Sequence, residues 1–152
     1  MPEACTILMV DDDHEIAHAA CMRLRAAGYK TLQAADGESG VAAAVASRPD
    51  LILLDVRMPG KDGLAALSDL KHRSDTCGIP VVMLSASVVD QEAGLNAGAR
   101  FFIRKPYNGA TLMQAVRTAI GAPAARDANR AGNTLGTDSN GNKSHAHFEE
   151  RQ

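Results

Sequence analysis

The sequence has few aromatic residues, few cysteines and no long apolar run, and each shortage excludes a class of protein. Aromatic residues make up 3% of the 152 residues and tryptophan is absent, so the core must be aliphatic. The three cysteines, Cys5, Cys21 and Cys77, form no CxxC pair, which argues against a disulfide framework and a cysteine zinc site. We interpret them as buried or incidental thiols.

Charge and hydropathy exclude further classes. No run approaches the roughly 18 apolar residues of a membrane helix, and no charged segment followed by a long apolar one opens the chain. The formal net charge of -2 provides no broad basic field for nucleic acid or membranes. The sequence therefore predicts a cytoplasmic protein that binds neither nucleic acid nor membrane.

Short apolar runs alternate with segments of helical spacing along most of the chain. Such runs are typical of strands buried on both faces of a parallel sheet. The alternation predicts an α/β fold with a five-stranded, doubly wound parallel sheet. The predicted strands are Thr6–Val10, Tyr29–Ala34, Leu51–Asp55, Pro80–Leu84 and Arg100–Arg104, and the predicted helices are His14–Ala27, Glu38–Ser47, Leu64–His72, Val88–Ala97 and Asn108–Ile120.

The composition shifts after Gly121. Residues 122–152 are rich in Ala, Asn, Gly and Ser, and Leu135 and Phe148 are their only large apolar residues. Such a segment cannot bury enough surface to offset its ordering entropy. We predict a domain over residues 1–121 and a flexible, disordered tail over 122–152, too short and too poor in basic residues for a DNA-binding output domain.

Polar side chains stand where the predicted strands end. Asp11 and Asp12 follow the first strand, Asp55 ends the third, Ser85 follows the fourth and Lys105 the fifth. Because parallel strands end along one edge of a sheet, these groups can meet there. Crowded carboxylates need a cation, and hard oxygen ligands suit Mg2+. With a lysine and a hydroxyl opposite, the cluster can cradle phosphoryl oxygens, and Asp55 would be the nucleophile.

Residues 6–120 resemble the receiver domain of response regulators, whose CheY-like (βα)5 fold is flavodoxin-like. The resemblance lies in the motifs LMVDDD, LLDVRMPGKDG, MLSAS and AGARFFIRKP. It implies that Asp11 and Asp12 are the acidic pair and that Asp55 is the phosphoacceptor, which also binds Mg2+. The backbone carbonyl of Arg57 would complete the protein ligands of the metal.

The same resemblance assigns the remaining site residues. Ser85 stands where the family bonds the phosphoryl group, and Lys105 where a lysine pairs with it. The Lys105–Pro106 bond is expected to be cis. Phe102 occupies the switch aromatic position, and it would turn into the space left when Ser85 moves toward the phosphoryl group.

Partners and output also follow from the resemblance. The domain would take a phosphoryl group from a sensor histidine kinase or a histidine phosphotransfer protein. Its own chemistry would be limited to autophosphorylation and autodephosphorylation. The face built from the fourth helix, fifth strand and fifth helix would then contact an unidentified protein target. Both a docking switch and a phosphate shuttle remain open as roles of this single-domain regulator.

A zinc hydrolase is the first alternative. His14, Glu15 and His18 fit HExxH, in which two histidines bind zinc and the glutamate acts as base. Glu38 lies where some such enzymes place a third ligand. However, a predicted strand separates Glu38 from the motif, and the motif opens a helix directly after three aspartates.

A haloacid-dehalogenase-like phosphatase is the second alternative. It would use a strand-end aspartate as nucleophile, with a second aspartate two residues on, and Asp11 and Asp13 satisfy that spacing. The hydrophobic residue and the threonine expected next are replaced by His14 and Glu15, which weighs against this assignment.

Overall fold

The computed structural model describes residues 4–120 and the backbone of 148–150. Strands and helices alternate through residues 4–120 in the predicted order. They are β1 (Thr6–Val10), α1 (His14–Ala26), β2 (Lys30–Ala34), α2 (Gly37–Ser47), β3 (Leu51–Asp55), α3 (Gly63–Lys71), β4 (Val81–Ser85), α4 (Val88–Asn96), β5 (Phe101–Arg104) and α5 (Gly109–Ile120).

The first five strands pair in parallel in the order β2-β1-β3-β4-β5. This arrangement confirms the predicted doubly wound (βα)5 fold. The bounds of β1 and β3 are as predicted, and β2, β4 and β5 each begin one residue later than predicted. β4 begins after Pro80, which has no N–H to donate to a ladder, and it extends to Ser85, which lies opposite Arg104 of β5.

Side chains of the central strands alternate between two buried layers. Ile7 and Met9 of β1 pack in one cluster with residues of α1 and α5. Leu8 and Val10 pack in the other with residues of α2 and α3. The alternation follows from the two-residue period of a strand, so helices cover both faces of the sheet. Within residues 4–120, Phe101 and Phe102 are the only aromatic members of an otherwise aliphatic core.

Aspartates set the starting points of three helices. A carboxylate at the N-cap accepts hydrogen bonds from backbone N–H groups that have no partner inside the helix. The caps place the start of α1 directly after the acidic residues that follow β1, and the start of α3 at the end of the loop after β3. The capping residues are Asp13 for α1, Asp36 for α2 and Asp62 for α3.

A sixth strand, β6 (Phe148–Glu150), pairs antiparallel with β5 at the edge of the sheet. The sequence predicted these residues to be part of a flexible tail, and the pairing differs from that prediction. An unpaired strand edge offers backbone N–H and C=O groups to any extended segment, so the pairing requires no apolar composition. The rest of the predicted tail, residues 122–147 and 151–152, lies outside the described residues, as does residue 121.

The three cysteines are free thiols, of which Cys5 and Cys21 are buried and Cys77 is exposed. Among residues 4–120 and 148–150, no helix has both the length and the apolarity that crossing a bilayer would require.

Candidate functional site

The ends of β1, β3 and β5 bring three of the predicted site residues together. The backbone N–H of Asp11 donates to the carbonyl of Ala34 at 3.1 Å, which continues the β1–β2 ladder past the end of β1. Asp55 is the last residue of β3, and the backbone N–H of Lys105 donates to the carbonyl of Ser85 at 3.0 Å. The sheet ladders therefore fix the backbone of each group.

Lys105 joins the two buried carboxylates. Its Nζ lies 3.1 Å from Asp11 Oδ2 and 3.1 Å from Asp55 Oδ1. Asp11 and Asp55 are 2% and 3% exposed, so both carboxylates are shielded from bulk water. The backbone N–H of Asp13 donates to Asp11 Oδ1 at 2.9 Å and fixes the orientation of that side chain.

Asp12 adds an exposed carboxylate to this pair. Carboxylate oxygens of Asp11, Asp12 and Asp55 all lie within 4.8 Å of one another. Three carboxylates are hard oxygen donors that fill only part of a coordination shell, which fits Mg2+ because that ion usually keeps several waters. The three side chains are those that the sequence predicted as the acidic ligands of the metal.

The negative charge of the site exceeds what Lys105 neutralises. Burial, followed by the charge of Asp11, raises the pKa of Asp55 to about 6, although the ammonium of Lys105 opposes the shift. Burial by itself would lower the pKa of Lys105, but the carboxylates of Asp55 and Asp11 outweigh burial and raise it. A divalent cation beside Asp55 would supply the missing positive charge.

The raised pKa of Asp55 predicts that Asp55→Asn stabilises the metal-free fold at neutral pH. Between pH 3.8, the usual pKa of an aspartate, and about pH 6, Asp55 keeps a proton in the folded state that it loses in the unfolded state. The free energy of unfolding therefore falls as pH rises through this window. By linkage, the total loss of stability at pH values above the window is about 3 kcal/mol.

Urea unfolding in EDTA measures this effect. Asp55→Asn should exceed the wild type in unfolding free energy by up to about 3 kcal/mol at about pH 7.5, and the gap should close near about pH 4. Asp75→Asn is the control, because the guanidinium of Arg73 lowers the pKa of Asp75 and the sign of the effect is opposite. An equal gap at both pH values would contradict the prediction.

Ser85 lies at the same sheet edge, but its hydroxyl is bonded elsewhere. Ser85 Oγ donates to Asp90 Oδ2 at 2.7 Å and accepts from the backbone N–H of Ser87 at 3.1 Å. Sequence reasoning missed Asp90, because an acidic residue early in a helix is usually solvated. Its 5% exposure and its hydrogen bond from Ser85 distinguish it from such a residue.

The side chain of Arg57 contacts the same aspartate. Its Nε donates to Asp90 Oδ2 at 2.8 Å and its terminal Nη2 to Asp90 Oδ1 at 3.1 Å. The sequence had singled out Arg57 for its backbone carbonyl, and the role of that carbonyl stays a prediction. The side chain instead links the loop after β3 to α4.

Phe102 is fully buried in the layer beneath α4. It lies opposite Met83 in the β4–β5 ladder, and a Cβ on Gly94 of α4 would lie 3.8 Å from its ring. Gly94 therefore packs close to Met83 and Phe102, and α4 covers the ring. The Lys105–Pro106 peptide bond is cis, as the resemblance implied.

Gly63 lies against the backbone of Asp55 and closes the loop after β3. A Cβ at Gly63 would overlap the carbonyl oxygen of Asp55 and would lie 2.7 Å from the Cα of Val56. The backbone N–H of Gly63 donates to the carbonyl of Val56 at 2.8 Å. Glycine therefore permits the start of α3 to hold the end of β3 in place.

Tyr107 is a further residue that sequence reasoning did not select. Its hydroxyl is buried and has no hydrogen-bond partner among the described residues. Burial raises the pKa of Tyr107, while the charge of Lys105 opposes the shift. Its place two residues after Lys105 was the available signal, although an aromatic residue there is equally typical of core packing.

The zinc-hydrolase alternative is not supported by the geometry. His14, Glu15 and His18 lie exposed on α1, and the two imidazole rings stack 6.3 Å apart. Among residues 4–120, the acidic triad is the only group of three or more such side chains placed to hold a metal ion. Glu38 is therefore not a third ligand of the HExxH motif.

The phosphatase alternative fails at its second aspartate. Asp13 Oδ1 accepts from the backbone N–H groups of Glu15 and Ile16 at 3.1 Å each. This carboxylate caps α1, and nothing in its placement supports a role as a general acid.

Two solved structures illustrate the similarity of the fold. The Vibrio cholerae chemotaxis protein CheY4 is 31% identical, with a TM-score of 0.71 over 76% of this chain and 98% of that chain. The receiver domain of a Pseudomonas aeruginosa sensor histidine kinase is 30% identical, with a TM-score of 0.73 over 79% of this chain and 100% of that chain. In the latter, a magnesium ion is coordinated in the active-site cleft.

Curated relatives are longer proteins. The transcriptional regulatory protein CseB of Streptomyces avermitilis is 38% identical over 122 residues, which cover 79% of this chain and 51% of CseB. The probable transcriptional regulatory protein TcrX of Mycobacterium tuberculosis is 42% identical over 105 residues, which cover 68% of this chain and 44% of TcrX. The chain thus spans about half the length of the curated relatives it matches.

The family profile described as the response regulator receiver domain matches residues 7–117. This match includes residues of all five parallel strands, the acidic triad and Lys105. The chain therefore belongs to the response regulator receiver domain family of two-component signal transduction.

Proposed function

We propose that this receiver domain accepts a phosphoryl group on Asp55 with the help of Mg2+. The supporting observation is the position of Lys105, whose Nζ lies 3.1 Å from both Asp11 and Asp55 beside a third carboxylate. This arrangement offers a nucleophile, a cation site and a positive charge for a phosphoryl oxygen. The donor would be a phosphohistidine on a sensor kinase or phosphotransfer protein.

The transfer proceeds by displacement at phosphorus. A carboxylate oxygen of Asp55 forms the new P–O bond as the N–P bond of phosphohistidine breaks, and the leaving imidazole takes the electron pair and then a proton. Lys105 favours the ionised form of Asp55, which is the form that attacks. In the dephosphorylation step, water attacks phosphorus and the P–O bond to Asp55 breaks. Inorganic phosphate then leaves, and the carboxylate of Asp55 is regenerated.

Asp11, Asp12 and Asp55 would hold the Mg2+, with the carbonyl of Arg57 as a fourth protein ligand. The bound ion would neutralise the charge on the phosphoryl oxygens as they approach the carboxylates. Asp11 would then have two partners, because its Oδ2 already lies 3.1 Å from Lys105 Nζ.

Output would proceed through the face formed by α4, β5 and α5. Phosphorylation adds nearly two negative charges, toward which Ser85 would move, and Phe102 would then turn. Whether that face docks on a protein target or the group passes to a second histidine protein stays open. Because relatives are named as transcriptional regulators, the expectation that no nucleic acid is bound stays a prediction, as does the cytoplasmic location.

Incubation with acetyl phosphate tests the proposal. With Mg2+, the intact mass of the wild type should rise by about 80 Da, the mass of one HPO3 unit on an aspartate. EDTA should abolish the gain, because the crowded carboxylates then repel the donor. Borohydride reduction followed by peptide mapping should locate the adduct at Asp55. A gain that is insensitive to EDTA, or one that maps elsewhere, would refute the assignment.

A further inference from the structure

A second polar cluster, formed by Arg57, Ser85 and Asp90, lies beside the acidic triad. Asp90 is in the first turn of α4, and its side chain is only 6% exposed. Ser85 Oγ donates its proton to Asp90 Oδ2 at 2.7 Å. A serine hydroxyl has one proton, so it cannot at the same time donate to a phosphoryl oxygen. The observed bond is therefore incompatible with the switched position of Ser85.

Arg57 gives this buried carboxylate a second set of donors. Both of its hydrogen bonds to Asp90 come from a side chain that is 69% exposed. Asp90 Oδ2 is shared by Arg57 Nε and Ser85 Oγ. The carboxylate keeps its charge partner when Ser85 leaves, so release of Ser85 costs one hydrogen bond and leaves no unpaired buried charge.

We propose that Asp90 is a positioning residue that holds the Ser85 hydroxyl away from Asp55 in the unphosphorylated domain. Phosphorylation must break the Ser85–Asp90 bond before Ser85 can reach the phosphoryl group. Asp90 therefore sets the free-energy difference between the unswitched and switched positions of Ser85. This inference rests on the proposed roles of Asp55 and Ser85, and it extends them to the residue that opposes the switch.

The test compares Asp90→Ala with Asp90→Asn. Both substitutions remove the same charge, but Asn keeps an oxygen that accepts from Ser85, whereas Ala keeps none. Alanine suits a helical position, and the exposed Arg57 can extend into water, so the fold should be retained. The probe is beryllofluoride with Mg2+, which imitates a phosphoryl group without a covalent bond.

We expect Asp90→Ala to bind beryllofluoride roughly tenfold more tightly than the wild type, because the competing hydrogen bond to a charged group is gone. Asp90→Asn should show a clearly smaller gain. In a Ser85→Ala background, Asp90→Ala should no longer alter the affinity, since the two residues act through one contact. Equal affinities for the Ala and Asn variants, or a gain that persists without the Ser85 hydroxyl, would overturn the proposal.

A metal-free measurement separates this proposal from the function of Asp55. The backbone N–H of Ser87 donates to Ser85 Oγ, so its amide NMR signal reports the position of that hydroxyl. In ligand-free Asp90→Ala, the Ser87 amide signal should move toward the position it has in the beryllofluoride-bound wild type. If the wild type does not bind beryllofluoride, the signal in Asp90→Ala should still differ from that of the ligand-free wild type. An unchanged signal contradicts the role of Asp90. Failure of the wild type to bind beryllofluoride instead contradicts the proposed phosphoacceptor site.

Discussion

Asp55→Asn should abolish the gain of about 80 Da that the wild type shows with acetyl phosphate and Mg2+. An amide oxygen is a far weaker nucleophile than a carboxylate, and the substitution also removes one charge from the metal site. Asparagine has nearly the same shape as aspartate, so the contacts around the end of β3 should be kept. Incorporation should fall below the detection limit, as measured by intact-protein mass spectrometry over a time course.

Asp13→Asn is the matched control for this loss. Asp13 also carries a carboxylate at this edge of the sheet, but it caps α1, and asparagine caps a helix about as well. It should be labelled at close to the wild-type rate. Because Asp55→Asn is expected to be the more stable protein in metal-free buffer at neutral pH, unfolding would not explain its loss of labelling. Equal labelling of Asp55→Asn and the wild type would place the phosphoacceptor elsewhere.

Gly63→Ala should damage both the fold and the site. The added methyl group would overlap the carbonyl oxygen of Asp55, and this backbone group cannot turn aside as a flexible side chain could. Overpacking of this kind costs about 1–3 kcal/mol, which urea unfolding would measure. If the end of β3 shifts to relieve the overlap, phosphoryl incorporation should slow by roughly tenfold or more, because small displacements of a nucleophile are costly.

Gly78→Ala isolates the steric effect at Gly63. A Cβ at Gly78 would meet nothing within 4 Å, so the same chemical change occurs there in open space. Its unfolding free energy and labelling rate should stay close to those of the wild type. If Gly63→Ala proves as stable and as reactive as Gly78→Ala, the loop does not depend on close contact at Gly63.

The convergence of Asp11, Asp55 and Lys105 could be predicted from the sequence because it follows from one rule. Buried parallel strands read as apolar runs, and such strands end along one edge. The rule requires no knowledge of side-chain conformation. It therefore placed residues from three distant strands at one site, and the structure joins them through Lys105 Nζ.

The bonding of Ser85 could not be predicted in the same way. Asp90 accepts from the Ser85 hydroxyl because the packing of α4 against β4 and β5 buries its carboxylate beside that hydroxyl. Sequence spacing does not encode this packing. The overlap at Gly63 was hidden for a similar reason, since a glycine after a Pro-Gly turn is typical of any loop. Strand β6 could not be predicted either, because the unpaired backbone edge of β5 can pair with extended segments of many different sequences.

The pairing of Lys105 with Asp11 has a consequence for synthesis of the protein. The two residues are 94 positions apart, and β3 and β4 lie between their strands in the sheet. A nascent chain on the ribosome therefore carries Asp11 and Asp55 well before Lys105, which pairs with both, has left the exit tunnel. Charge compensation arrives only with β5, close to the end of the domain. A sheet that formed before β5 was added would lack the ion pairs of Lys105, and aqueous Mg2+ would be the cation able to neutralise its acidic edge.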